Sequence, residues 1–289
     1  MSDKSIRIGF IGGGNMAGAM IGGLIQSGYQ SSFMTVAEPW EEARLRLKSQ
    51  FAVKTTTTNT EAVFDASTGK PADVLVLAVK PQVMKTVAEG IAALVQQHKP
   101  LVISIAAGIA IEDLKRWLMN GQPVDEPAIV RCMPNTPALV VEGATGVFAA
   151  QSVSEKQKQI AFAILESVSK RTYWVASEYL LNVVTGISGS APAYFFLLVE
   201  CLEAAGVELG LPKDVARGLA SQTALGAGKM LISTGEDPAD LRKKVTSPNG
   251  TTERAIQSLE ASGMRQAFAD AVKRATERSV ELGDILGKQ

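Results

Sequence analysis

Apolar positions in the first ~110 residues switch repeatedly between a strand pattern and a helix pattern. The stretch IRIGFI (Ile6 to Ile11) reads as a strand. Ala17, Met20, Ile21, Leu24 and Ile25 then follow at i, i+3, i+4, i+7 and i+8, one face of a helix that Gly28 ends. FMTVAE predicts a second strand and WEEARLRLKSQ a second helix. DVLVLAVK is nearly all apolar, as expected of a central parallel strand covered on both faces. QVMKTVAEGIAALVQQ continues as a helix and LVISIAA as another apolar strand. This alternation predicts an α/β fold, a doubly wound parallel sheet. Shorter strands are predicted at IVRCM, TGVFAA and TYWVA, with a helix from about Ser154 to Ser169 before the last of them.

After Ser177 no convincing strand pattern returns, and helical stretches follow one another to the end. The boundary is placed at 176, giving a dinucleotide-binding domain over 1–176 and an all-helical domain over 177–289. No Gly/Ser-rich linker marks it, so close packing of the halves is expected. The helix from Ala191 is apolar around much of its circumference, which normally means burial. With the small-residue run GLASQTALGAGK, it points to packing against a second subunit; an ordinary monomeric helical core is the alternative.

Composition narrows the classes. Apolar residues make up 46 % of 289, and 29 basic residues balance 29 acidic ones, so no basic stripe recommends nucleic acid. Cys132 and Cys201 match no metal or redox spacing, and the single histidine, His98, is expected at the surface; no metal site is expected. The start MSDKSIRIGFIG passes at once into a strand pattern, so a cytoplasmic protein is expected. The longest uninterrupted apolar run, Ala191 to Val199, is well short of the ~20 residues of a membrane span.

Candidate chemistry begins at Gly12-x-Gly14-x-x-Ala17, after the first strand and opening the first helix. The first glycine permits a tight turn, the second lets the backbone approach a pyrophosphate, and the small third residue lets helix and strand pack closely. Free N–H groups and the positive end of the helix dipole then hold the phosphates. Glu38 ends the second strand, 21 residues after Ala17. An acid there bonds a ribose 2′-hydroxyl, which favours NAD, whereas Arg44 and Arg46 downstream offer a phosphate site. Ala78, Val79, Lys80 and Pro81 close the buried third motif strand and face the ligand crevice, where Lys80-Pro81 is read as a positional wall rather than a catalytic lysine. Two further turns after predicted strands, Gly108 in SIAAG and Asn135-Thr136 between Pro134 and Pro137, are candidate site walls. With no catalytic histidine and no metal cluster, hydride transfer to an already protonated imine fits best, because an iminium carbon needs little help. The β-hydroxyacid dehydrogenases are disfavoured: GISGSAPAYFFLL has Ala191 where their last glycine belongs, and no lysine follows.

In VTSPNGTTERAIQSLEASGMRQAF, Pro248 is expected to stop the preceding helix and Asn249 and Gly250 to reverse the chain with unusual dihedrals. Thr251 or Thr252 is then expected to cap a new helix, whose unpaired N–H groups make a carboxylate site. This segment, together with IGFIGGGNMA, LAVKPQ, SIAAGI, RCMPNTPA and GISGSAPAYFF, resembles the pyrroline-5-carboxylate reductase family in order and spacing over essentially the whole chain. The resemblance implies a Rossmann-like domain and a helical dimerisation and substrate-binding domain that interlocks with a second subunit, dimers often assembling into decamers. It implies reduction of L-1-pyrroline-5-carboxylate to L-proline with NADPH, ranked first on family grounds, or NADH. On that match backbone N–H groups around Asn249, Gly250 and Thr251 bind the substrate carboxylate, and the Thr252 hydroxyl faces the ring nitrogen as the catalytic group. Asn15 and Met16 lie in the phosphate turn, Asn59 near the adenine ribose, and Ala78 to Pro81 beside the nicotinamide. Three departures stand out: Asn249 replaces the family's first loop glycine, DASTGKPAD looks inserted between Asn59 and Ala78, and Glu38 sits against the NADPH habit. A reductase of another cyclic imine and a catalytically silent dinucleotide-binding protein are the alternatives.

Overall fold

The computed structural model describes residues 4–121 and 125–288. The chain divides into two compact units, Met1–Gly189 with Ala275–Gln289, and Ser190–Arg274. The last helix therefore begins in the second unit and ends in the first.

In the first unit β1 (Ile8–Ile11) leads into α1 (Asn15–Gln26), β2 (Met34–Ala37), α2 (Glu41–Phe51), β3 (Lys54–Thr56) and the single-turn α3 (Asn59–Val63). A two-stranded hairpin, β4 (Phe64–Asp65) and β5 (Lys70–Pro71), comes next. Then β6 (Val74–Leu77), α4 (Met84–His98), β7 (Leu101–Ser104), α5 (Ile111–Met119) and β8 (Ile129–Met133) continue the alternation. β9 (Gly143–Ala149), α6 (Glu155–Glu166), β10 (Ser169–Trp174) and α7 (Leu180–Val184) complete the unit, apart from the end of the last helix.

The main sheet has the order β10-β9-β8-β7-β6-β1-β2-β3. All neighbouring pairs are parallel except β8 and β9. The chain thus winds outward from β1 through β2 to β3, crosses to β6 on the other side of β1, and winds away again, the doubly wound plan the sequence predicts. Every residue of β1, β6 and β7 is buried, which is why their sequences carry no alternation. Met20, Ile21 and Leu24 of α1 and Ala88, Ile91 and Val95 of α4 complete that core. α6 starts on a capping box, with Ser154 and Gln157 exchanging side-chain and backbone hydrogen bonds.

The segment DASTGKPAD forms the turn and second strand of the β4–β5 hairpin. Asp65 accepts hydrogen bonds from Lys54 Nζ (2.6 Å), Ser67 Oγ (2.6 Å) and Ser67 N (2.9 Å), tying the hairpin to edge strand β3. Burial of this carboxyl pulls its pKa up, but those hydrogen bonds and the ammonium charge outweigh it and bring the group down to about 2. His98 differs from expectation: it is half-buried and stacks on Phe64 of β4 at 4.9 Å between ring centroids.

The second unit contains α8 (Ala191–Glu208), α9 (Lys213–Thr234), α10 (Pro238–Lys244), α11 (Thr251–Ala261) and the start of α12 (Met264–Gly287). α8 is apolar around its circumference, yet Phe195, Phe196, Leu197 and Leu202 are exposed, Phe196 at 69 %. On α9 Leu219, Leu225, Met230 and Ile232 are exposed as well. Among the described residues one helical stretch, Leu180–Glu208, is long and apolar enough to cross a membrane, with hydropathy 1.4. The uninterrupted apolar run from Ala191 is shorter, because small or uncharged residues break the stretch before it.

Asp65 gives this fold a pH signature. Its folded pKa lies below the ordinary carboxylate value, so its contribution is present above pH ~4 and lost as pH falls towards 2. Asp65→Asn is expected to lower stability by about 1–2 kcal/mol at pH 7, since solvent screens the half-exposed lysine partner. In thermal denaturation the deficit should shrink steadily as pH falls from about 4 towards 2.

Candidate active site

The parallel strands stop on a common level. Ile11 pairs with Ala37 and Leu77, Ala37 with Thr56, and Leu77 with Ser104. One residue further on, each N–H still reaches its neighbour's last carbonyl: Gly12 N to Ala37 O (2.8 Å), Ala78 N to Ile11 O (2.8 Å), Glu38 N to Thr56 O (2.9 Å). Gly12, Glu38 and Ala78 are thereby brought side by side at the carboxyl edge of the sheet, with Asn59 following from β3.

Gly12 takes φ +99°, and a Cβ there would lie 2.5 Å from the Ala78 carbonyl oxygen. Both facts demand glycine. Gly14 is different: nothing lies within 4 Å of the place its Cβ would take, and it is exposed together with Asn15. Gly14 is the N-cap of α1 and makes no side-chain cap, so the N–H groups of Asn15, Met16 and Ala17 head the helix with no acceptor inside it. Buried Ala17 packs the helix onto the sheet. An open backbone cradle at a helix N-terminus fits a pyrophosphate.

Glu38 is 7 % exposed, and both of its carboxylate oxygens accept backbone hydrogen bonds, Oε2 from Gly13 N (2.7 Å) and Oε1 from Trp40 N (3.0 Å). Arg44 donates to the carbonyls of Glu38 and Pro39, and Arg46 to that of Gly13. Val79 is half-buried, Lys80 exposed, and Pro81 opens a short 3-10 turn behind it.

The Asn135 turn is a tie rather than an open wall. Its side chain donates to Ser188 O (3.1 Å) and accepts from Ala144 N (2.9 Å). Arg131, inside the apolar strand IVRCM, is the feature sequence reasoning passed over. It pairs with Glu178, whose carboxylate also accepts the Ile111 N–H at the start of α5 (2.7 Å). A lone arginine in an apolar strand is the signal, since a buried charge needs a partner. Burial pushes the Cys132 thiol up to about 12 against the pull of the Arg131 charge, so it holds no thiolate.

The loop Asn249–Thr252 belongs to the second unit and departs in detail from the expected design. α10 ends at Lys244, before Pro248, closed by Thr246 Oγ1 donating to Arg242 O (2.7 Å). Asn249 takes the left-handed φ of +60°, whereas Gly250 is in ordinary extended conformation. Gly250, not a threonine, is the N-cap of α11, and Thr251 and Thr252 are its first two residues with no side-chain cap. The Asn249 N–H donates to Glu253 Oε2 (2.8 Å) and the Gly250 N–H to Ser247 O (3.0 Å). These two expected carboxylate donors are thus already paired, and the donor positions at the head of α11 are Thr251 and Thr252.

A family model described as pyrroline-5-carboxylate reductase dimerisation matches residues 178–282, and one described as NADP oxidoreductase, coenzyme F420-dependent, matches 7–108. The pyrroline-5-carboxylate reductase of Pseudomonas aeruginosa is 44 % identical over 98 % of both chains, and that of Glycine max 38 % identical over 96 % of this chain and 97 % of its own. The chain belongs to the pyrroline-5-carboxylate reductase family. Among solved structures, a reductase of this family from Coxiella burnetii is 40 % identical, with TM-score 0.87 over 96 % of this chain and 98 % of that one. The Plasmodium falciparum reductase, solved with NADP bound, is 27 % identical with TM-score 0.81, covering 97 % and 99 %. The dimerisation match spans α8 and α9, so their exposed apolar faces fit assembly with further copies of the chain, and the membrane-length stretch lies inside the same match.

Gly12 and Gly14 should separate fold from binding. Gly12→Ala is expected to cost about 2–4 kcal/mol, from strain and the clash with Ala78. Gly14→Ala is expected to leave the melting temperature within about 1 °C yet weaken NAD(P)H binding, as read by calorimetry and nucleotide titration.

Proposed function

We propose that this chain reduces L-1-pyrroline-5-carboxylate to L-proline with NADPH or NADH, as the names of its relatives imply for them. The observation that carries the reading is the 44 % identity over 98 % of both chains, with the loop Ser247–Thr252 intact inside the dimerisation match. When bound, the reduced nicotinamide supplies the hydride that, with one proton, turns the ring C=N bond into a secondary amine.

The chain's own residues position the reactants. Gly12 makes the turn, Gly14 lets the backbone close on the pyrophosphate, and Asn15, Met16 and Ala17 present N–H groups to it. Asn59 borders the adenosine end, and Ala78, Val79, Lys80 and Pro81 form the wall beside the nicotinamide. In the second unit Asn249 and Gly250 shape the loop, while Thr251 and Thr252 N–H groups hold the substrate carboxylate at the positive end of α11. The Thr252 hydroxyl, unused as a cap, orients the ring nitrogen and serves its proton. Functionally the division falls at 176/177, between a cofactor domain and a helical domain for dimerisation and substrate binding. The protein works in the cytoplasm without nucleic acid or membrane, as a homodimer that assembles further to a decamer.

Reduction of pyrroline-5-carboxylate, assayed with NADPH and NADH in parallel, tests the reading; no turnover with either rejects it. Thr252→Ala should lower kcat by roughly one to two orders of magnitude, the scale of one positioned donor, with nucleotide affinity unchanged. Phe196→Glu should convert the dimer to a slower-sedimenting monomer at micromolar concentration, because it buries a charge in an apolar interface.

A further inference from the structure

The spacing Gly12-x-Gly14 leaves position 13 unrestricted, yet the chain has glycine there as well. A Cβ on Gly13 would lie 3.1 Å from both Cβ and Cγ of Glu38 and 2.7 Å from Leu47 Cδ1. The space is filled by the tip of Leu47 and by the stem of Glu38, which runs across from the end of β2 to the glycine turn. Its carboxylate then takes the Gly13 N–H at 2.7 Å and the Trp40 N–H at 3.0 Å, bridging the ends of β1 and β2.

We propose that Glu38 is a positioning residue that braces the phosphate-binding turn, and that it does not read the ribose 2′-hydroxyl. The inference rests on the nucleotide reading of that turn. An acid reading a ribose must turn its oxygens outward past the strand end. Here each oxygen already accepts a backbone N–H, and with only 7 % of the residue's surface exposed little of its remaining acceptor capacity faces outward. The brace holds the segment between Gly12, pressed against Ala78, and Gly14, which faces open space. Fixing the middle residue fixes the direction in which the Gly14 and Asn15 N–H groups point. The negative charge under the turn is offset by Arg46, which donates to Gly13 O (3.1 Å), and by Arg44, which donates to Glu38 O (2.9 Å). Glu38 therefore discriminates neither for nor against a 2′-phosphate.

Two variants separate brace from reader, with equilibrium binding of NADPH and NADH followed by nicotinamide fluorescence. Glu38→Ala removes both hydrogen bonds and should weaken both nucleotides by the same factor, about tenfold, leaving their ratio unchanged. Glu38→Gln keeps an oxygen for the Gly13 N–H and should recover most of that loss for both. A selective fall in NADH binding with NADPH held or tightened overturns the proposal, since it marks a ribose contact. Wild-type affinity for both nucleotides in Glu38→Ala overturns it too, since no brace was lost. If Glu38→Ala does not fold by thermal melting, Glu38→Gln decides alone: an unchanged NADPH to NADH ratio supports the brace, and a shift of about tenfold rejects it. A wild-type protein that binds neither nucleotide fails the underlying nucleotide reading, a result distinct from all of these.

Discussion

The close approach of two backbones, Gly12 against Ala78, is the contact on which the first unit's site depends. It exists because β1 and β6 are adjacent and in register to their last residues, Ile11 and Leu77. With 2.5 Å between a hypothetical Cβ and the Ala78 carbonyl, only a chain without a side chain can turn there. The turn delivers Gly14 and the N-terminus of α1 to the crevice between the two halves of the sheet. That is the switch point at which doubly wound sheets bind ligands. Glu38 arrives on the same level from β2, since Ala37 pairs with Ile11. One register thus places the turn, its brace and the wall from Ala78 to Pro81.

The second unit is governed by a different constraint, apolar area without cover. α8 and α9 bury chiefly alanines within the chain, Ala191, Ala216 and Ala220, and leave their large apolar side chains outside. Small residues let these helices approach each other; Gly206, for instance, meets Ala216. The larger side chains then lie on the outer faces. The dimerisation match spans these faces, which fits their cover by further copies of the chain. The same apolarity gives Leu180–Glu208 the composition of a membrane span, so composition alone does not separate the two settings.

By itself the sequence determined the strand and helix order, the doubly wound plan, the glycine turn and the family. These are properties of local period and spacing. Apolar runs at β6 and β7 have to be buried, a 3.6-residue stripe has to face a sheet, and Gly12 with Gly14 between a strand and a helix marks a turn. Asn249 was legible for the same reason: it is the residue type that best tolerates the left-handed backbone it adopts.

Only the tertiary structure decided where polar side chains direct their hydrogen bonds. Glu38 turns to Gly13, Glu253 to the Asn249 N–H, Asn135 to Ser188 and Ala144, and Glu178 to Arg131. Each choice depends on which donors the fold brings within about 3 Å, and four of these five pairings join residues from nine to 53 positions apart. Period and spacing carry no record of such distances. They fix which residues reach the carboxyl edge of the sheet, and the packed chain fixes which of them remain free for a ligand.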